Sequence, residues 1–289
     1  MKGATTQKKL LVFCFLAIPV TLLLTFVYYA AARLLQYSFT DWNGISKTFN
    51  YIGFRNYKTV LTNPEYLTIF VHNFAYLVAG ILQNAVALVL AVILIGRIKG
   101  KNFLRAVIFI PYLMNSVAVS YMFSFMYHFT DGAFNSVLKL LGFGGVHWLS
   151  NTVLVNYSLA FITFWKFTGY SMIIFIAGLQ SVDSQIYEAC DLDGANAWQK
   201  LRYVTLPCIK RTVELNLFLS LTGAIKAFNE AFAITNGGPG SASTTFVFKT
   251  VETAFTYSDF GLASAMAIVL LIFLTIFTVA QKKFFGSED

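Results

Sequence analysis

The chain is short of charge. Only 12% of its 289 residues are Asp, Glu, Lys or Arg, while 57% are hydrophobic and 17% aromatic. An ordinary soluble domain carries about 25% charged residues. With a mean hydropathy of +0.66, this composition excludes a soluble globular fold and requires an integral membrane protein. Cysteine is also scarce: Cys14, Cys190 and Cys208 have no CxxC or CxxH spacing, and an odd number cannot all pair within the chain. A disulfide framework is therefore not supported. Three histidines, His72, His128 and His147, are scattered and lack an HExxH pattern, so no metal site is expected. A phosphate loop is missing: Gly100-Lys101 is followed by Asn102, and no glycine stands five positions before Gly100. No residues of this chain are placed to hydrolyse ATP, and it is not expected to be an enzyme. The formal charge of +8 does not indicate nucleic acid, because the basic residues cluster at the ends of apolar runs, where membrane orientation accounts for them.

What is present is a succession of apolar stretches. Runs at about 10–35, 67–95, 106–127, 153–179, 212–234 and 260–281 are each long enough to cross about 30 Å of hydrocarbon as a helix. The expected fold is all-α, with six transmembrane helices in a single permease domain over 1–289. A cleaved signal peptide ending near Ala30-Ala31-Ala32 is the rival for the first run, but such a peptide has an apolar region of only about 7 to 15 residues. The segment from Tyr37 to Glu65, rich in aromatics and turn formers, is expected on the membrane surface. No internal repeat and no second soluble domain are evident.

Orientation follows from the lysines and arginines, which remain cytoplasmic. Lys2, Lys8, Lys9; Arg97, Lys99, Lys101, Arg105; Lys200, Arg202, Lys210, Arg211; and Lys282, Lys283 fall on one side, against Arg33, Lys47, Arg55, Lys58, Lys139 and Lys249 on the other, thirteen to six. Both termini and the loop at 183–207 are thus expected in the cytoplasm. That loop is the most polar connection in the chain. Asp183 or Ser184 is positioned to cap a short helix through Leu192, Gly194 supplies a reversal, and Asn196 with Gln199 forms a capping-box pattern for a second helix limited by Pro207. A cytoplasmic helix-turn-helix is expected.

Within this loop Glu188, Ala189, Gly194, Leu206 and Pro207 stand at the spacing E-A-A, three residues, G, nine residues, I-x-L-P, with Cys190 for the second alanine and Val204 for isoleucine. The pattern resembles the signature of permease subunits of bacterial ABC importers. Further similarity, to the carbohydrate-uptake, maltose permease-like branch, lies in Gly53-Phe54-Arg55-Asn56-Tyr57, Ile110-Pro111, Trp165-Lys166, Gly178-Leu179-Gln180 and Thr235-Asn236-Gly237-Gly238-Pro239. The proline usual before the tyrosine is replaced by Val182-Asp183. The resemblance implies that Glu188, Ala189, Cys190, Asp193, Gly194, Leu206 and Pro207 couple the chain to a cytoplasmic ATPase. It also implies a second permease subunit, two ATPase subunits holding ATP and Mg, an extracytoplasmic solute-binding protein, and a bacterial cell membrane location. The implied function is import of a sugar or oligosaccharide by alternating access. A self-sufficient secondary carrier or channel, or an ABC permease for another solute, is the alternative reading.

Charges at membrane depth are costly and face a bundle interior or a water-filled cavity. Lys166, Glu214, Lys226 and Glu230 are such residues. Lys226 and Glu230, four apart, are expected to neutralise one another on one helix face. Thr222, Lys226 and Asn229 form a stripe in the fifth run that, with Trp165 and Thr168 in the fourth and Glu230, is the candidate substrate path. Pro111, Gly169 and Gly223 are read as close-packing points in preference to hinges.

Overall fold

The computed structural model describes residues 2–96 and 98–285. Arg97 and the chain ends at 1 and 286–289 lie outside them, as do the side chains of Lys2, Lys8 and Lys9, all counted above for orientation. The described chain is helical: α1 (Lys2–Leu23), α2 (Ala30–Tyr37), α3 (Arg55–Thr62), α4 (Pro64–Ile95), α5 (Lys101–Leu113), α6 (Ser116–Met126), α7 (Ala133–Leu140), α8 (Leu154–Gln180), α9 (Ser184–Leu192), α10 (Ala197–Gln199), α11 (Leu206–Cys208), α12 (Lys210–Ile225), α13 (Phe246–Phe255) and α14 (Phe260–Phe285). Wider π-helical turns lie at Leu24–Tyr29, Lys200–Thr205 and Ala231–Thr235. Four helices are long and apolar enough to cross a membrane among the described residues: Leu11–Tyr37, Pro64–Ile95, Leu154–Gln180 and Phe260–Phe284. A fifth crossing results if α5 and α6, bent by 98° at their junction, are taken as one.

Two compact units divide the chain. The first comprises residues 1–64 and 250–272. Its long apolar helix leads into a surface loop closed by local polar bonds. Thr40 and Tyr51 form an antiparallel bridge, and Asp41 accepts from the Asn50 backbone (2.7 Å) and side-chain amide (3.0 Å). Those two bonds hold the Asp41 carboxyl below the usual carboxylate range. The buried Asn56 amide donates to the carbonyls of Ser38 and Thr40. This explains the asparagine of the Gly53-Phe54-Arg55-Asn56-Tyr57 segment: it fastens α3 to the end of α2.

The second unit comprises residues 65–249 and 273–289. Proline starts α4, with Glu65 in its first turn, as suits a helix N-terminus. Its other end is closed by cations: Arg105 donates to the Leu94 carbonyl (2.8 Å) and Lys101 to that of Gly96 (3.1 Å). Two apolar clusters fill the unit. One surrounds Tyr76, Phe123, Leu159 and Ile162; the other joins Ala87 and Ala91 of α4 to Met172, Phe175 and Ile176 of α8 and to Ile209. Polar side chains cross-link the helices. Gln83 donates to Ser171 Oγ (2.8 Å), Asn84 to Ser220 Oγ (2.8 Å) and Asn216 to the Ser171 carbonyl (3.1 Å). In lipid, where apolar contact between helices gains little over contact with acyl chains, such bonds and close packing hold helices together.

The stretches expected as the third and fifth spans are not continuous helices. In the third, Met114 is extended and Asn115 caps α6, accepting from the amides of Val117 and Ala118. In the fifth, α12 stops at Ile225, Ala227 and Phe228 leave helical geometry, and helix resumes from Asn229 to end at Asn236, whose φ is 47°. Ending a helix inside the protein frees carbonyls that need other donors. They are satisfied here from elsewhere in the unit: the buried Asn73 amide donates to Ala224 and Ile225 (3.0 and 3.1 Å), and Thr245 Oγ1 to Ala227 (2.6 Å).

The interruption corrects one expectation. A helical pairing of Lys226 with Glu230 requires continuous helix between them, and Lys226 occupies the C-cap. Lys226 is exposed, Glu230 is buried, and no ion pair joins them. Lys166 of α8 is close enough to exert a coulombic influence on Glu230 without forming an ion pair with it; it is itself buried and donates from Nζ to Ser116 Oγ at the bend between α5 and α6.

Two sets of outcomes are expected. A Cβ at Gly169 would lie 2.0 Å from the Ile108 carbonyl of α5, whereas one at Gly223 meets nothing within 4 Å. Gly169→Ala therefore destabilises by about 1–3 kcal/mol, and Gly223→Ala stabilises by roughly 0.4–1 kcal/mol; unfolding in detergent distinguishes them. In a double-mutant cycle, Lys166→Met and Glu230→Gln couple by about 0.5–3 kcal/mol. Substituting Lys226→Met for Lys166→Met leaves the cycle additive within about 0.5 kcal/mol.

Candidate functional site

The loop after α8 is built by local capping. Asp183 accepts from the Gln185 amide (2.9 Å) and starts α9. At its end Gly194 has φ of 72°, its amide donates to Asp191, and the Ala195 amide donates to Cys190. This is a Schellman turn, which needs the left-handed conformation glycine adopts freely. Asn196 and Gln199 then bond reciprocally, side chain to backbone, at 2.9 and 2.8 Å, completing a capping box. Lys200 pairs with Asp191 across the turn, and the Tyr187 hydroxyl donates to Thr205 Oγ1 (3.3 Å). Pro207 lies inside the one-turn α11 and so does not end the preceding segment; the interruption comes at Ile209.

This loop presents rather than buries its side chains. No residue of α9 is buried; Glu188, Ala189, Asp193, Gly194 and Pro207 are exposed, and Cys190 and Leu206 are partly covered. Beside them stand apolar residues that the sequence reading passed over: Leu192 is 90% exposed, Trp198 70% and Tyr203 73%. Their signal was large apolar residues inside the most charged loop of the chain. Exposed apolar residues within so polar a loop make it a candidate interaction site.

The second candidate site lies at the interruption of the fifth stretch. A cavity of about 310 Å³ is lined by Gln83 of α4, Tyr112 of α5, Ser116 of α6, Thr163, Phe167 and Tyr170 of α8, Leu219, Ser220 and Gly223 of α12, and the segment from Lys226 to Glu230. Tyr112 and Tyr170 stack with ring centroids 4.5 Å apart, and Phe167 approaches Tyr112 edge-on at 5.8 Å. Of the six residues expected on the substrate path, Lys226, Asn229 and Glu230 line this cavity. Trp165 instead packs edge-on against Phe123 at 5.3 Å, Thr168 is buried and donates to the Phe164 carbonyl (2.6 Å), and Thr222 donates to that of Phe218 (2.6 Å). Tyr112, Phe167, Tyr170 and Gln83 were not singled out, because nothing local distinguishes them among 30 Phe and 15 Tyr. The histidines are dispersed: His72 contacts the Thr244 carbonyl (2.9 Å), His128 pairs with Asp131, and His147 stacks on Phe129.

Comparison with known proteins identifies the family. The chain is 32% identical over 293 residues to the probable ABC transporter permease protein YurN of Bacillus subtilis, covering 98% of this chain and 99% of the relative. It is 30% identical to the multiple sugar-binding transport system permease protein MsmF of Streptococcus mutans, with 93% of each covered. It is 31% identical to the trehalose/maltose transport system permease protein MalF of Thermococcus litoralis, over 81% of this chain and 79% of the relative. Its fold matches a chain in the crystal structure of a bacterial ABC transporter that imports the acidic polysaccharide alginate, with a TM-score of 0.85, 19% identity, and 98% and 97% of the two chains covered. Residues 83–285 match the model of the binding-protein-dependent transport system inner membrane component. The chain belongs to that family of membrane permeases.

Proposed function

We propose that this protein is the permease subunit of an ATP-driven bacterial importer of a sugar or oligosaccharide. It works beside a second permease subunit, two cytoplasmic ATPase subunits that hold ATP and Mg, and an extracytoplasmic solute-binding protein. The whole chain forms one permease domain of six crossings, the fifth being the interrupted stretch, with both termini and the 183–207 loop in the cytoplasm. The observation that carries the reading is the exposed α9 with its Schellman turn. Glu188 offers a charge, Ala189 and Cys190 permit close approach, and Leu192 and Trp198 provide apolar anchors. Relatives named for multiple sugars and for trehalose and maltose support the solute class.

The mechanical route supports the same reading. The loop runs through Leu206 and the buried Ile209 directly into α12, whose 16 residues end at the cavity. A helix of that length spans about 24 Å. Movement of the ATPases against α9 is delivered along α12 to Lys226, Asn229 and Glu230. The cavity is exposed to one side and then the other as the loaded binding protein docks, ATP closes the ATPase pair, and hydrolysis resets it. Aromatic faces take up the apolar C–H surface of a sugar ring while Gln83, Asn229 and the tyrosine hydroxyls take its hydroxyls.

Glu188→Lys and Trp198→Ala are expected to leave insertion intact and to reduce sugar uptake about tenfold or more, as loss of an interface anchor does. Gly194→Pro, which removes both the left-handed turn and an amide donor, is expected to abolish coupling. Uptake by the assembled importer in vesicles, measured with ATP hydrolysis, checks these outcomes; normal uptake by all three variants removes the docking assignment.

A further inference from the structure

A separate cavity of about 250 Å³ lies between the start of α12 and the end of α14. Arg211, Glu214, Leu215 and Phe218 of α12 line one side, and Gln281 and Lys282 of α14 line the other. The buried Gln281 amide donates to the Glu214 carbonyl (3.3 Å) and ties the two helices together there. Arg211 and Lys282 are exposed, and neither forms an ion pair with Glu214 or with any other described residue. The lining thus carries two cations against one carboxylate, and the exposed Lys283 follows Lys282. Helix α14 is long and apolar enough to cross a membrane, and its lysines stand in its last turn. That end therefore lies at the level of the lipid headgroups, where long basic side chains are held. Arg211, Leu215 and Phe218 recur at helical spacing on one face of α12, and Leu215 is 52% exposed. Between Arg211 and Phe218 the helix rises about 10 Å, more than the roughly 5–7 Å of one headgroup layer. The cavity is cationic at the interface and apolar where hydrocarbon begins.

We propose that this cavity binds the headgroup of an anionic phospholipid such as phosphatidylglycerol. Its phosphodiester lies between Arg211 and Lys282, and an acyl chain runs along Leu215 and Phe218. A phosphodiester carries one negative charge, which the excess of one cation in the lining matches. A zwitterionic headgroup brings its own ammonium beside the two cations, which offsets the attraction. Inorganic phosphate has no apolar part to cover Leu215 and Phe218. The volume is that of about eight liquid waters at about 30 Å³ each, room for a headgroup and not for a whole lipid, so the chains lie outside against the helices. Basic pockets between membrane helices recognise anionic headgroups in this way. The site stands where the 183–207 loop passes into α12, so a lipid there braces α12 against α14 at the start of the segment that leads to the break. It concerns the bilayer and not the cargo, and it holds whichever solute is carried.

The test uses the intact complex in which this chain is purified, delipidated in detergent and titrated with phosphatidylglycerol, with phosphatidylcholine of the same acyl chains, and with inorganic phosphate. Bound lipid is counted by native mass spectrometry. One phosphatidylglycerol per copy of this chain is expected beyond those retained by the Arg211→Gln, Lys282→Gln double variant. Each single substitution is expected to weaken that site about fivefold and both together roughly 30-fold, the scale of one and two cations facing an anionic lipid. Arg211→Lys, which keeps the charge, retains most of the binding. Glu214→Gln, which removes the one repelling carboxylate, tightens it about two- to fivefold, a change of sign that a merely structural role for these residues does not produce. Equal retention of the two lipids, no loss in the double variant, or weaker binding by Glu214→Gln overturns the proposal. So does displacement of the lipid by inorganic phosphate at equal concentration, because the acyl chains then contribute nothing. Separation of the double variant from its partner subunits overturns it as well, since the two cations would then face protein.

Discussion

The interruption of helix after Ile225 is the constraint on which the second unit depends. A buried backbone carbonyl freed at a helix end needs another partner, so a helix can stop inside the protein only where protein groups replace the lost bonds. Asn73 of α4 supplies two of them and Thr245 a third. With those carbonyls satisfied, Lys226 to Glu230 form a polar segment inside the protein, and the cavity beside them follows. Transporters commonly place solute sites at such discontinuous helices, because the break brings polar backbone and side chains together at one level.

The buried charges follow the same logic. Glu230 lies buried on the continuation beyond the break, and Lys166 of α8 bonds Ser116 at the second bend, between α5 and α6. Buried ionic groups of this kind do little for net stability, since desolvation offsets attraction. Their effect is to fix which residues face the cavity.

The 183–207 loop obeys a different physics. Its geometry is set by contacts between residues a few positions apart: Asp183 with Gln185, Asn196 with Gln199, and the Gly194 turn. It needs no packing from the rest of the chain to take its form, which is why it can stand exposed. At Thr205 and Ile209 it becomes buried, and from there α12 leads to the break. The two candidate sites are therefore the two ends of one continuous stretch of chain.

This division explains what was legible. Apolar run lengths determined the four long apolar helices among the described residues to within a few residues, because lipid imposes a minimum helix length on any sequence that enters it. Capping patterns and the glycine determined the loop, because those bonds are local. The tertiary structure alone decided that the third and fifth stretches break, that Lys226 and Glu230 do not pair, and that Trp165 and Thr168 pack away from the cavity that Tyr112, Phe167 and Tyr170 line. Those outcomes depend on groups far apart in the chain, Asn73 with Ala224 and Lys166 with Ser116, and no spacing within a single helix encodes them.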